Sequence, residues 1–243
     1  MRRKSVWRIM FLICVPGNLC PPESFHALPV DKYVYEWMRQ DPVPSLQEAA
    51  FELLKIAMLH DNVILVGHST GGLICMQAAL LDSIGTIKGM VLVNTGANTN
   101  GHKDIRSHVK ELSSQPITDA FIDQYLVARV QSIDSISTNI LVAFREYYKS
   151  LNEPNIRAAK MLQSQVDTDL IPELNKIKIP TLVIHGRLDK VRPLRFAEEI
   201  HSCISNSRLR TLSCGHCPNI EMPVEFAQEV LEFVSELGVR DVR

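Results

Sequence analysis

The chain has 243 residues, of which 46% are hydrophobic and 22% are charged, and its formal net charge is −1. This length fits one α/β domain with room for an insertion, and the apolar fraction is sufficient for a large core. A net charge so close to zero gives no support for nucleic acid or an anionic membrane surface as a partner.

An apolar run over residues 6–15 follows a short basic segment at the N-terminus. Arg8 interrupts the run, no small-residue cleavage site follows it, and it is too short to span a bilayer. We therefore expect a core strand, with a secretory signal as the alternative. Of the six cysteines, Cys14 and Cys75 fall in apolar stretches, where a free thiol packs as a small hydrophobe. This pattern predicts a reduced, cytoplasmic protein.

A Gly- and Pro-rich loop at residues 16–22 follows the first predicted strand, and a weak pattern over 25–38 favours a short helix and a strand at 33–37. Ser45 and Glu48 then have the spacing of a capping box. Apolar residues recur at helical spacing from Leu46 to Ala57. We predict a helix here that leads into the next strand.

The pattern at residues 63–72 is that of a strand that turns sharply into a helix. Four apolar residues indicate a strand buried on both faces, and a helix-forming sequence begins directly after Gly72. Gly67 and Gly71 remove the Cβ atoms that would clash in the turn, which leaves Ser69 at its apex. This G-x-S-x-G arrangement is the nucleophile elbow, which exposes a serine hydroxyl. An ordinary strand-to-helix turn is the alternative reading, because Gly and Ser are common turn residues.

A nucleophilic serine requires hydrogen-bond donors for the oxyanion that it creates. The backbone N–H of Thr70 follows Ser69 at the start of the new helix and is the first candidate. The second donor is expected in the 16–22 loop, where we assign Asn18 because Pro16 has no N–H. A plain turn remains the alternative for this loop.

A block of helical periodicity separates a buried strand at 89–94 from the next strand at 179–186. Amphipathic helices are predicted at 121–129, 136–151 and 156–166. A helical block inserted between two strands of a parallel sheet is typical of a cap. We predict a core of residues 1–100 and 173–243 and a cap of residues 101–172. Most of the apolar cap residues are expected to pack between helices rather than line a cavity.

Two further candidate residues follow predicted strands near the C-terminus. Asp189 comes directly after the strand at 179–186, and His216 follows the strand at 209–212. Open α/β sheets place their sites at such strand ends. Alone, Asp189 is also a common turn or capping residue. Together with Ser69, the two residues occur in the order Ser, Asp, His along the chain.

Three motifs now carry a resemblance to the α/β-hydrolase superfamily: GHSTGG at 67–72, HGRLD at 185–189 and GHCPNIEMP at 215–223. The chain is most similar to the small capped members, which include esterases and C–C bond hydrolases. This resemblance implies a mostly parallel sheet of about six strands, flanked by helices and carrying a helical cap. It also implies that Ser69 is the nucleophile, His216 the proton carrier and Asp189 the residue that orients it. The usual His-Gly of the family is replaced by Pro16-Gly17, so Asn18 is assigned by alignment.

The resemblance further implies a serine hydrolase that cleaves an ester, thioester or lactone of a small, largely apolar substrate through an acyl-enzyme. C–C bond hydrolysis, cyanohydrin cleavage and ligand reception use the same scaffold and stay open as alternatives. The expected partner is a small-molecule ester or acyl substrate, with no nucleic acid, membrane or cofactor. Cys214 and Cys217 bracket His216, but the sequence has no second C-x-x-C pair, so no metal is expected.

Overall fold

The computed structural model describes residues 10–99 and 105–239. Six strands form one sheet in the order β2-β1-β3-β4-β5-β6, and all five neighbouring pairs are parallel. The predicted six-stranded parallel sheet is thus confirmed. The strands are β1 (Phe11–Val15), β2 (Lys32–Val34), β3 (Val63–His68), β4 (Ile87–Val93), β5 (Thr181–Gly186) and β6 (Ser207–Leu212). Residues 6–9 of the predicted first strand lie outside the described residues.

Helices cover both faces of this sheet. Short 3₁₀ turns lie at Pro22–Phe25, Trp37–Arg39, Ile133–Ser135 and Ile171–Lys176. The prediction of a strand at 33–37 was inaccurate, because β2 ends at Val34 and Trp37 begins a turn. In the described ranges the α-helices are α1 (Leu46–Ala57), α2 (Thr70–Leu81), α3 (Ile105–Ser114), α4 (Asp119–Val127), α5 (Thr138–Lys149), α6 (Pro154–Gln165), α7 (Arg195–Cys203), α8 (Pro218–Glu221) and α9 (Pro223–Val239).

The central strand β3 shows why the sheet is covered on both sides. All six of its residues are buried, and successive side chains point to opposite faces. Val63 and Leu65 pack into a core with α1 and α2, whereas Ile64 and Val66 pack into a second core with α9. An uninterrupted apolar strand is stable only between two such layers. The Ser45–Glu48 capping box at the start of α1 is present as predicted.

The strand register brings four chain segments to one edge of the sheet. His68 at the end of β3 is opposite Val93 at the end of β4, and Gly186 at the end of β5 is opposite Leu212 at the end of β6. Because the strands are parallel, the segments that follow them all leave from the same edge. Ser69 begins one of these segments.

Helices α3 to α6 lie between β4 and β5 in the chain. Three of them overlap the helices predicted at 121–129, 136–151 and 156–166, whereas α3 was not predicted. Only Ile105 and Leu112 of α3 are buried, so its apolar pattern is too sparse to give a clear period. No helix in the described part of the chain combines the length and the apolar character needed to cross a membrane.

Candidate active site

The turn between β3 and α2 holds Ser69 in a backbone conformation that serine rarely adopts, with φ of 52° and ψ of −119°. A Cβ on Gly67 would lie 2.5 Å from the carbonyl oxygen of Gly71, and a Cβ on Gly71 would lie 2.0 Å from that of Val15. Neither position therefore tolerates a side chain. The two glycines allow the strand, the turn and the helix to approach each other at van der Waals distance, with Ser69 at the tip.

The structure brings Ser69, His216 and Asp189 into one hydrogen-bonded chain. Ser69 Oγ lies 3.1 Å from Nε2 of His216, and Nδ1 of His216 lies 2.7 Å from Oδ2 of Asp189. The Nδ1–H group donates to the carboxylate, which leaves Nε2 free to accept the serine proton. Both His216 and Asp189 are buried. The arrangement can transfer a proton from a hydroxyl to an imidazole whose orientation is fixed.

Asp189 accepts four hydrogen bonds. Its Oδ1 accepts from the backbone N–H groups of Val191 and Arg192 at 2.7 and 2.9 Å, and its Oδ2 accepts from His216 and from Asn94 Nδ2, the latter at 2.7 Å. Burial opposes ionisation of this carboxyl group, but the charge of His216 and these hydrogen bonds lower its pKa from 3.8 to about 2. Asp189 is therefore ionised at neutral pH.

Asn94 also contributes to this site, although no motif in the sequence marks it. It follows β4 in the left-handed region with φ of 43°, a conformation that asparagine tolerates better than most residues. Besides Asp189, its Nδ2 donates to the carbonyl of Gly215 at 3.2 Å, and its Oδ1 accepts from the N–H of Gly186 at 3.1 Å. One buried side chain thus joins the segments that carry Asp189 and His216. The one feature of the sequence that could have indicated this role is the position of a polar Asn directly at the end of a buried strand.

Glu221 holds the loop around His216 through hydrogen bonds to backbone N–H groups. Its carboxylate accepts from the backbone N–H groups of Gly215 and Cys217, both at 2.9 Å, and from that of Gln131 at 2.7 Å. Gln131 belongs to the segment between α4 and α5. The backbone carbonyl of Arg129 also accepts from the N–H of His216 at 2.7 Å. The segment between α4 and α5 is therefore hydrogen-bonded directly to the loop that carries His216 and to Glu221.

His68 and His185 lie next to the triad and make structural hydrogen bonds. His68 Nε2 donates to the carbonyl of His216 at 2.9 Å, and His185 Nε2 donates to that of Arg192 at 2.7 Å. Burial, followed by the neighbouring His216, lowers the pKa of His68 from 6.5 to about 3. Burial also lowers the pKa of His185. Both rings are neutral at physiological pH and act as buried donors.

The two residues that carry the candidate oxyanion donors are Thr70 and Asn18. Within the described residues, neither the N–H of Thr70 nor that of Asn18 donates a hydrogen bond to the protein. Both residues line the pocket that contains Ser69 and His216. A Cβ on Gly17 would lie 3.2 Å from the Cβ of Ser69, so a glycine before Asn18 lets this loop approach the serine closely. Both N–H groups are therefore without a protein acceptor among the described residues.

Most of the side chains that line the pocket above Ser69 are polar, although Leu162 and Val191 also contribute. Apolar residues of α4, α5 and α6, such as Ile122, Phe144 and Met161, are buried in the core instead. The inserted helices and adjoining segments contribute His108, Tyr125, Arg129, Leu162 and Gln165 to the lining, and the sheet side contributes Asn18, Ser69, Thr70, Val191, Arg192 and His216.

No group of three or more His, Cys, Asp or Glu side chains is placed to hold a metal ion in the described parts of the chain. Cys214 and Cys217 are both buried and free, as are Cys14, Cys20 and Cys75, whereas Cys203 is partly exposed. Burial raises the pKa of the Cys20 and Cys214 thiols to about 12, so both are protonated and poor nucleophiles. Ser69 is therefore the better candidate nucleophile.

Comparison with known proteins gives consistent matches over most of the chain. Residues 12–229 match the model of the alpha/beta hydrolase family. The chain is 27% identical over 194 residues to a 2-hydroxy-6-oxo-6-(2'-aminophenyl)hexa-2,4-dienoic acid hydrolase of Metapseudomonas resinovorans, a match that covers 76% of this chain and 63% of that protein. It is 26% identical over 197 residues to a pimeloyl-(acyl-carrier protein) methyl ester esterase of Photobacterium profundum, with coverages of 78% and 76%.

A solved structure has the same fold. An esterase from Exiguobacterium antarcticum superimposes with a TM-score of 0.77 and covers 95% of this chain and 93% of its own. The two sequences are only 16% identical, so this likeness concerns the fold and not the substrate.

Proposed function

Because the chain belongs to the alpha/beta hydrolase family, we propose that it is a serine hydrolase that cleaves a carboxylic ester, or a related thioester or lactone, of a small substrate. One observation carries this proposal. Ser69 Oγ lies 3.1 Å from His216 Nε2, and the other ring nitrogen lies 2.7 Å from an Asp189 carboxylate oxygen. These distances support proton transfer within a Ser-His-Asp triad.

In the proposed mechanism, Ser69 Oγ attacks the substrate carbonyl while His216 Nε2 takes its proton. The resulting tetrahedral intermediate collapses, His216 returns the proton to the departing alcohol, and an acyl group remains on Ser69. A water molecule then attacks the acyl-enzyme with His216 as base, which releases the acid and restores the serine. Asp189, ionised and bound by four donors, holds the imidazole in the reactive tautomer and stabilises its charged form.

We assign the oxyanion hole to the backbone N–H groups of Thr70 and Asn18. The support is that both amides lack protein acceptors among the described residues and belong to residues that line the pocket. Removal of one such donor typically raises the barrier by about 3–4 kcal/mol. The helix that begins at Thr70 adds a favourable dipole to the same position.

We assign residues 101–172 to a cap and residues 1–100 and 173–243 to the catalytic core. The support is that the described helices between β4 and β5 line the pocket over Ser69, through residues such as His108, Tyr125 and Leu162. A cover of this kind excludes bulk water from the reacting carbonyl and strengthens the electrostatic interactions inside. It also limits the size of the substrate.

Hydrolysis of a carbon–carbon bond is the second candidate, because the same triad can act on a β-diketone. The similarity to the hydrolase of a 2-hydroxy-6-oxo-hexa-2,4-dienoic acid favours it. A vinylogous diketone acid assayed in parallel with simple esters would separate the two reactions. Ester turnover without diketone cleavage favours the first candidate, and the reverse result favours the second.

The proposal is tested with a fluorophosphonate probe, which phosphonylates an activated serine, and with intact-mass measurement of the product. We expect one adduct on the native protein and none on Ser69→Ala. The matched control is Ser113→Ala, which removes an exposed serine from α3 and is expected to be labelled as the native protein is. Labelling or ester turnover that survives Ser69→Ala would overturn the proposal. A panel of acyl esters then defines the pocket.

A further inference from the structure

Arg129 follows α4 and lines the pocket together with Ser69 and His216. Its guanidinium carbon lies 3.4 Å from the centre of the Tyr125 ring, and its Nη1 donates to the Tyr125 carbonyl at 3.0 Å. The Tyr125 hydroxyl in turn donates to the backbone carbonyl of Asn18, the candidate oxyanion residue. The stacked ring therefore holds the guanidinium in place beside the reacting groups.

Apart from Tyr125, no described residue accepts a hydrogen bond from the Arg129 side chain. The ion pairs of the described chain involve other arginines, such as Arg145 with Asp123 and Arg208 with Glu236. No carboxylate oxygen of the described residues forms an ion pair with Arg129. A partly buried guanidinium that bonds only to one neutral neighbour is poorly satisfied, because Arg offers five N–H donors and its charge favours a negative partner.

The rest of the pocket is also positive. Its described lining includes Arg192 as well as Arg129, and it contains no Asp or Glu. Arg192 is buried and donates to the carbonyl of Asn98 at 3.2 Å. Burial lowers its pKa to about 10, which is still well above neutral pH, so the side chain remains charged. The nearby carboxylate of Asp189 is turned to His216 and saturated by four donors. The pocket therefore has positive charge that no lining carboxylate offsets.

We propose that the substrate carries a carboxylate close to its scissile carbonyl, and that Arg129 binds this group. The inference rests on the proposed function and specifies its substrate class as monoesters of short dicarboxylic acids or related acyl acids. A planar guanidinium presents two parallel N–H groups that match the two oxygens of a carboxylate. Because Arg129 contacts a part of the substrate that does not react, its contribution is expected mainly in KM.

The test compares two series of substrates that differ only in charge. The first series consists of the monoethyl esters of succinate, glutarate and adipate, and the second consists of the same esters with the free carboxylate replaced by its isosteric amide. Hydrolysis is followed by product chromatography for the native protein, Arg129→Gln and Arg129→Lys. The matched control is Lys160→Gln, which removes one positive charge from an exposed position on α6.

We expect the native protein to favour the acid over the amide by at least tenfold in kcat/KM for one chain length. Arg129→Gln should lose at least tenfold on that acid, mostly through KM, and less than threefold on its amide. Arg129→Lys should retain part of the preference, and Lys160→Gln should retain all of it. Equal losses on acid and amide, or a native preference for the amide, would overturn the inference.

A binding measurement separates failure of this inference from failure of the proposed function. Adipate is titrated calorimetrically into Ser69→Ala, and we expect binding that Arg129→Gln weakens at least tenfold in the double variant. Arg129-dependent adipate binding without fluorophosphonate labelling of the native protein would retain the anion site and reject the serine hydrolase. Labelling and ester turnover without any carboxylate preference would retain the hydrolase and reject the anion site.

Discussion

Replacement of Asn94 by Ala is expected to destabilise the protein by about 3–5 kcal/mol. The substitution removes the hydrogen bond to the Asp189 carboxylate, which is worth about 1.5–3 kcal/mol, and two bonds to backbone groups of about 1 kcal/mol each. These groups are the N–H of Gly186 and the carbonyl of Gly215. Alanine at φ of 43° adds about 1 kcal/mol of backbone strain. Water that enters the vacated space recovers part of the loss.

Urea denaturation of the native protein, Asn94→Ala and Asn94→Gly measures this effect and separates its two causes. Glycine lacks the same hydrogen bonds but adopts positive φ without strain, so Asn94→Gly should be about 1 kcal/mol more stable than Asn94→Ala. Because Asp189 loses one of its supports, kcat on an ester substrate should also fall about tenfold or more in both variants. A free energy of unfolding of Asn94→Ala within 1 kcal/mol of the native value would refute the reasoning.

Three further predictions follow from named contacts. The pKa of His68 is about 3 in the folded protein and near 6.5 in the unfolded chain. Between these pH values the unfolded state binds more protons than the folded state. The free energy of unfolding should therefore fall by up to about 1.4 kcal/mol per pH unit as the pH decreases from 6.5 to 3. His68→Gln keeps an N–H for the same carbonyl and should flatten this slope in urea midpoints measured against pH; an unchanged slope would contradict the assignment. Glu221→Ala should lower kcat about tenfold with little change in KM, because the hydrogen bonds that hold the His216 loop are lost. Glu221→Gln should lower kcat less, and the control Glu225→Gln, at an exposed position, should leave kcat unchanged. Equal effects of all three substitutions would show that these hydrogen bonds do not matter for catalysis. Gly71→Ala should prevent soluble expression because its Cβ would lie 2.0 Å from a backbone oxygen, whereas Gly85→Ala, with φ of 71° and no atom within 4 Å, should cost only about 1 kcal/mol in a thermal melt.

The sequence predicted the sheet well because buried parallel strands have a direct signature. The apolar runs of β3, β4 and β5, each closed by a polar or glycine residue, required no knowledge of their neighbours. The glycines at 67 and 71 were also interpretable locally, since a sharp turn around Ser69 requires them. Helix α3 was missed because two buried residues do not establish a period.

The supporting polar residues of the site could not be predicted in the same way. Asn94 binds Gly186 and Gly215, 92 and 121 residues away in the chain, and Glu221 binds Gln131, 90 residues away. Arg129 lines a pocket whose other residues come from distant segments. Such contacts produce no periodicity and no local spacing. Only the tertiary structure shows that the carboxylate of Glu221 reaches Gln131, 90 residues away, or that Arg129 and Ser69 line the same pocket.

The sequence by itself determined which segments become strands, where the chain must turn, and the order of Ser69, Asp189 and His216 along it. These features depend on side-chain size, backbone freedom and apolar period, all of which are local. The tertiary structure alone decided that the three side chains lie within hydrogen-bond distance and that the pocket above them is polar and positive. Both depend on the parallel register of distant strands and on which helix faces are buried against other helices. No short stretch of sequence encodes either feature.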